Sequence, residues 1–264
     1  MTGNYIKTAI RNLMKRRFYS VLNIAGLSIA VACLVLVGLY VRFQLSFDDF
    51  HDKKDRIYRV GAHYMIRDND DRFAVSPIPI GLALQTEFPE VQMFTRFKGV
   101  PNAKLTHEDG REFIEENFLY ADSTFFRVFT YKKISGDLSN SLTEPGSMVI
   151  TRSTEKRYFG DESGLGKQMT GGSGTVYTVT GVIEDVPPNT HVPFDGLLSR
   201  STAGQRFGTQ LEDIDNAQNF WFSDLFTYII LTPGSDIKGL EAKIDHFYDK
   251  YMKSIGDQIG SSFE

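Results

Sequence analysis

The chain has 264 residues, 41% of them hydrophobic and 23% charged, the composition of an ordinary globular protein. Its charge is unevenly placed. Residues 1–47 carry Lys7, Arg11, Lys15, Arg16, Arg17 and Arg42 without one Asp or Glu, so this segment is +6; with a total of −4, residues 48–264 are −10. An acidic outer portion excludes nucleic acid as a partner, because phosphate binding needs a concentrated basic face. The single cysteine, Cys33, excludes an intramolecular disulfide, and more than 200 residues bury an adequate core without one.

The first 17 residues read as a cytoplasmic amphipathic helix. Tyr5, Ile6, Ala9, Ile10, Leu13 and Met14 form an apolar stripe, with Lys7, Arg11 and Lys15 running beside it at intervals of four. An ordinary charged flank of a signal anchor fits the same residues.

From Phe18 to Val41 there is no charged residue. A helix of that length reaches roughly 36 Å, enough to span a hydrocarbon core of about 30 Å. Five cations precede it and only Arg42 follows, so the positive-inside rule places the N-terminus in the cytoplasm and the remainder outside. A cleaved signal peptide has an apolar core of only about 7–15 residues. Ala30-Val31-Ala32-Cys33 resembles a lipoprotein processing site, but the apolar run LVLVGLYV continues where a polar tether belongs, so Cys33 is expected to be unlipidated. Gly26 with Ala30, and Ser28 with Ala32, are small pairs that let membrane helices approach.

Residues 42–55 form a junction whose stretch Arg42–Arg56 lacks Gly and Pro. Leu45, Phe47 and Phe50 are expected to pack while Asp48, Asp49 and Asp52 face water, giving a continued helix or a packed turn in place of a free tether. His51 is placed in a solvated part of this junction.

The outer part, 56–255, alternates strand and helix signals. Strands are expected at 56–66, 91–98, 112–120, 148–151, 175–184, 194–199 and 225–231. An Asp- and Asn-rich turn is expected at 67–72, and Ser76-Pro77 should open a helix bearing Ile80, Leu84 and Phe88. Asp122 is expected to cap a short aromatic helix, STFFRVF, and Gly160 to stop a two-turn helix after Thr151. Ile237, Leu240, Ile244, Phe247, Tyr248, Tyr251 and Ile255 mark one amphipathic helix. Residues 201–223 give no clear pattern. Strands and helices mix with no repeat at solenoid periods, so the fold class is α+β, and two lobes are expected.

No motif survives as a catalytic, cofactor-binding or metal site. Gly164-Leu165-Gly166-Lys167 fails as a phosphate loop, since Asp161 stands where the first Gly belongs and Gln168 where Ser or Thr would hold magnesium. Ser153-Thr154-Glu155-Lys156 matches S-x-x-K without its companion motifs, and reads as an exposed helix face. Gly171-Gly172-Ser173-Gly174-Thr175 is not a nucleophile elbow. The histidines at 51, 63, 107, 191 and 246 lack zinc-ligand spacing, and His191 with Asp195 reads as a structural loop.

Several ordered stretches resemble the N-terminal part of MacB/FtsX-type ABC transporter permeases, especially those of Bacteroidota. They are residues 4–41 leading into LSFDDFHDKKDRIYRV, then FLYADSTFFRVFTY, EPGSMVITRSTEKRYFG, YTVTGVIEDVPPNTHVPFDGLL and TYIILTPGSDIKGLEAKIDHFYDKY. The resemblance implies a MacB-like periplasmic core domain with a porter-like lobe of βαβ units and an inserted second lobe. It also implies a permease that is not itself an enzyme, an ATP-binding-cassette ATPase subunit as partner, and a second permease copy or homologue. A periplasmic adaptor is a further implied partner, and the setting is the bilayer of the inner membrane. Residues 256–264 would begin the connection to further membrane helices, so an N-terminal fragment is expected. A single-pass periplasmic sensor or binding protein is the alternative, and the resemblance fixes no cargo.

Overall fold

The computed structural model describes residues 2–66, 69–207, 210–259 and 261–263. They form two compact units, 1–49 and 50–264.

In the first unit, helix α1 (Thr2–Lys15) is followed by helix α2 (Arg17–Leu45), of 29 residues. At the helical rise, α2 is about 43 Å long, and none of its side chains is buried within the protein. It is the one helix among the described residues long and apolar enough to cross a membrane. The side chains of Tyr5, Ile6, Ala9 and Ile10 in the expected stripe lie outside the described set. The helix ends by hydrogen bonds from the Ser46 N–H and Oγ to the Phe43 carbonyl, and Phe43 meets Phe47 edge-on at 5.3 Å. The junction is therefore helix and turn through residue 50, although Leu45, expected to pack, is 79% exposed.

The second unit begins with strands β1 (Ile57–Val60), β2 (Ala62–Ile66), β3 (Asn69–Phe73) and β4 (Ser76–Pro77). Next come helix α3 (Ile80–Glu87) and strands β5 (Val91–Val100), β6 (Ala103–His107), β7 (Glu112–Glu115) and β8 (Phe118–Ala121). Helix α4 (Phe125–Val128) leads to β9 (Lys133–Gly136) and β10 (Ser147–Thr151), and α5 (Arg152–Phe159) to β11 (Gln168–Gly171) and β12 (Val176–Ile183). Strand β13 (Gly196–Ser199), helix α6 (Arg200–Phe207), strand β14 (Ser223–Leu231), helices α7 (Ile237–Glu241), α8 (Ile244–Tyr251) and α9 (Lys253–Ile259), and strand β15 (Ser261–Phe263) complete it.

One mixed sheet runs β1-β14-β5-β8-β13-β10-β12-β11-β6-β7, with β4 beside β14 and β9 beside β12. Its pairs are antiparallel except β8 with β13 and β10 with β12. Strands β10 and β12 are linked through α5 and β11, and β8 and β13 through the longer stretch that carries α4, α5 and strands β9 to β12. Each parallel pair is thus closed by a long connection, as parallel pairing requires. Strands β10 and β13 are buried at every residue, which is why they read as short apolar runs without alternation. A smaller sheet orders β15-β2-β3.

Buried side chains gather in three clusters. Leu84, Phe88, Phe220 and Phe247 lie in the first, between α3, α8 and the sheet. Phe97, Phe125, Phe129 and Phe194 anchor the second, an aromatic cluster. Phe118, Ile150 and Tyr158 belong to the third. The close approach of β13 to β8 needs Gly196, because a Cβ there would run into the Phe118 ring.

Several expectations are corrected. The strand expected over 56–66 breaks at Gly61 into β1 and β2, and 69–73 is a strand paired with β2 where a turn was expected; Arg67 and Asp68 lie outside the described residues. Ser76-Pro77 is a strand, and the following helix starts three residues past it at Ile80. The strand expected over 112–120 is two strands with different partners, since β7 pairs β6 whereas β8 pairs β5 and β13. The single helix expected over 237–255 is three short ones, yet its stripe is correct: Leu240, Phe247 and Tyr251 are buried, with Ile237, Ile244 and Tyr248 packed beside them.

Candidate functional site

The chain enters the outer unit through a built contact. His51 is only 3% exposed. Its Nδ1 accepts a hydrogen bond from the Thr130 N–H at 3.1 Å, and the Asp52 N–H donates to the Thr130 hydroxyl at 3.2 Å. Lys53 Nζ donates to the Arg127 carbonyl, where a cation is well placed to answer the open carbonyls at the end of α4. Around these bonds the His51 ring lies 5.1 Å from Phe129 and 5.6 Å from Tyr131, and Phe50 lies 5.8 Å from Tyr131. Tyr131 stacks on Phe125 and meets Phe194 edge-on, which ties the contact into the second core cluster. The solvated junction expected around His51 is thus corrected: four consecutive residues, 50–53, are clamped onto the segment 127–131. An acid-rich neighbourhood concealed this, although the aromatics of FFRVFTY signalled a surface that something had to cover.

A second constellation holds the strands to α6. Asp122 is 12% exposed in its side chain and accepts from Arg96 Nε at 2.8 Å and from the Arg96 N–H at 3.0 Å. Arg200 Nε also donates to Asp122, and Arg200 donates from a terminal nitrogen to Glu212 at 2.7 Å. Arg96 further donates to the Ile78 carbonyl at 2.7 Å. Burial would raise the Asp122 carboxyl, but Arg96 and Arg200 outweigh it and hold the group below its ordinary value. Two cations and two anions close a neutral network, the condition under which charges tolerate burial. The expected capping role of Asp122 is corrected. Its side chain serves these arginines, and α4 is preceded by Thr124 without a side-chain cap; only the Asp122 backbone carbonyl accepts from the Phe125 N–H.

In the third cluster, Glu115 accepts from Arg157 at 2.6 Å and from the Tyr158 hydroxyl at 2.8 Å. Burial and the neighbouring carboxylate push the Tyr158 phenol up, so it stays a neutral donor and serves structure.

The motifs set aside have structural partners. Ser153 donates from its N–H and hydroxyl to Asp185 at 2.8 and 2.6 Å, at the start of α5. The Gly164 N–H donates to Glu155 at 2.8 Å, and Lys167 pairs with Glu162, as in a turn leading into a strand. The Asp195 carbonyl accepts from the Thr151 N–H at 3.1 Å, and its side chain accepts from Asn117 at 3.1 Å. Among the described residues no group of three His, Cys, Asp or Glu is placed to hold a metal ion.

The arrangement is an α+β domain preceded by one apolar helix, with built contacts between its strands, helices and connecting segments. The family model for the MacB-like periplasmic core domain matches residues 20–247. The chain belongs to that family, a MacB/FtsX-type permease domain and a non-catalytic transport component.

Among solved structures, the chain is similar to a domain of a protein described as a permease from Porphyromonas gingivalis. The two share 23% identity with a TM-score of 0.68, over 81% of this chain and 89% of that one, which is a likeness of fold. The periplasmic region of MacB from Actinobacillus actinomycetemcomitans matches at 12% identity and TM-score 0.47, over 77% and 87% of the two chains. The extracellular domain of the noncanonic ABC-type transporter YknZ from Gram-positive bacteria matches at 14% and 0.47, over 78% and 100%. These last two overlap too loosely to bear on this chain. No curated protein matches it.

Proposed function

We propose that this chain is the permease subunit of an ABC transporter, converting ATP hydrolysis by a partner into conformational change of a periplasmic domain. Residues 1–17 are the cytoplasmic amphipathic helix and 18–41 the membrane span. Residues 42–55 are the junction, 56–255 the periplasmic core in two lobes, and 256–264 the lead into further membrane helices. The charge asymmetry across the span sets the cytoplasmic N-terminus. The two parallel strand pairs support a porter-like reading of the core.

The observation that carries the proposal is the clamp of 50–53 on 127–131. A passive tether needs no fixed attachment, whereas a link that transmits force needs an ordered one, and the buried His51, with its own and Asp52's bonds to Thr130, supplies it. The partners are an ATP-binding-cassette ATPase and a second permease copy or homologue in the inner membrane, with a periplasmic adaptor where the cargo leaves the cell. The cargo class is that of efflux or of lipoprotein or peptide export. The test is purification of the full-length protein from native membranes under mild detergent. An ATP-binding-cassette ATPase should co-purify in stoichiometric amount; its reproducible absence contradicts the proposal.

A further inference from the structure

Of the five histidines, at 51, 63, 107, 191 and 246, only His51 is buried. Its bond to Thr130 fixes its protonation state. A backbone N–H can only donate, so Nδ1 of His51, 3.1 Å away, keeps its lone pair and carries no proton. Neutral imidazole therefore fits the clamp. Imidazolium does not, since both of its nitrogens are donors. Protonation would set two N–H groups against each other and leave a charge beside the rings of Phe129 and Tyr131.

The surrounding charges do not rescue the cation. On its own segment, 48–54, Asp48, Asp49 and Asp52 are set against Lys53 and Lys54. On the facing segment, 127–133, the charged groups are Arg127, Lys132 and Lys133, and Tyr131 is the other titratable side chain. Cations thus outnumber acids around the ring. Asp49 and Asp52 are exposed, where solvent and salt screen their attraction.

We propose that the clamp is a proton-gated latch, in which protonation of His51 favours release of residues 50–53 from 127–131. Its contribution is complete above the ordinary imidazole value, about 6.5, and is withdrawn as pH falls below it. Because the open form alone takes up the proton, the ratio of open to closed rises about thirtyfold from pH 8 to pH 5. Carboxylates ordinarily titrate below that interval, at about 4. The latch stands on this geometry; that acid would loosen coupling rests on the transport reading above.

Hydrogen exchange of the full-length protein in lipid nanodiscs reads the latch directly. Exchange is followed by mass spectrometry at single-amide resolution, at pH 8 and at pH 5, with rates corrected for their intrinsic pH dependence. Protection of the Thr130 and Asp52 amides, the two donors of the clamp, should fall about thirtyfold in acid, while β10 stays level. His51→Asn offers an oxygen that accepts from Thr130 and takes up no proton, and should flatten the response to less than about twofold. Asp52→Asn, at an exposed side chain, should keep the full response and so separates the imidazole from the neighbouring acids. Should His51→Asn fail to fold, the wild-type protein and Asp52→Asn decide the matter. Level protection at Thr130 between the two pH values, an equal loss across β10, an unchanged response in His51→Asn, or a lost response in Asp52→Asn overturns the latch. No ATPase enters these measurements, so failure of the latch is distinct from failure of the transport reading.

Discussion

The Thr130 N–H donates to Nδ1 of His51 across 79 positions of sequence, at 3.1 Å. With the reciprocal bond from Asp52 to the Thr130 hydroxyl, it fixes the point where the chain enters the outer unit. Removing the ring should therefore be costly. His51→Ala leaves a cavity among Phe50, Phe129 and Tyr131 and an unmet donor at Thr130, together worth about 2–5 kcal/mol. Chemical denaturation of the full-length protein should show that loss, against less than about 0.5 kcal/mol for the exposed Glu241→Ala. Equal effects of the two changes would remove the clamp from the account.

The charge network makes stability depend on pH in a definite direction. The carboxyl of Asp122 lies below its ordinary value of 3.8 because Arg96 and Arg200 outweigh its burial. Its contribution is present above the unfolded value and is lost as pH falls through the lower folded value. Asp122→Asn should cost about 3–5 kcal/mol at neutral pH by stranding two buried arginines. The variant should also lose part of the wild-type fall in melting temperature on acidification below pH 4. A wild-type and variant difference that stays constant with pH would contradict this.

Gly136 has a φ of +84°, and a Cβ there would press on the backbone of Thr180 and Gly181. Both the dihedral and the contact are backbone constraints that no side-chain movement relieves. Gly136→Ala should lower stability by more than 1 kcal/mol, whereas Gly174→Ala, with a positive φ but open space, should cost only the αL penalty of about 1 kcal/mol. Thermal melts of the two variants rank them. The reverse order would place β9 wrongly against β12.

Topology has a direct readout. Reporter fusions at Arg17 and at Gly136 should lie on opposite sides of the membrane, the first cytoplasmic and the second periplasmic. Both reporters on one side would end the proposed orientation.

The sequence displays what depends on local pattern and hides what depends on distant partners. The apolar span is legible because a bilayer demands an unbroken run, and the stripe Leu240, Phe247 and Tyr251 because one face must be buried. The hairpin of β2 and β3 is hidden, since NDDRF carries the composition of a turn and is a strand only through its pairing with β2. Asp122 precedes Ser-Thr-Phe-Phe and so has the look of a helix cap. Its real partners, Arg96 and Arg200, lie 26 and 78 positions away. His51 has aspartates and two lysines close by in sequence, but in space it lies against the rings of Phe129 and Tyr131. Nothing in local composition distinguishes a solvated acidic junction from one whose single histidine is driven into a core.

The central claim is that the junction transmits force, and one replacement tests it most directly. In the full-length permease with its ATPase, residues 47–53 are exchanged for a Gly/Ser segment of equal length, which removes Phe50, His51 and Lys53 from the clamp and leaves a flexible chain. Expression, membrane insertion and ATP binding should be normal and transport lost. Transport at the wild-type rate would show that this junction carries no essential force.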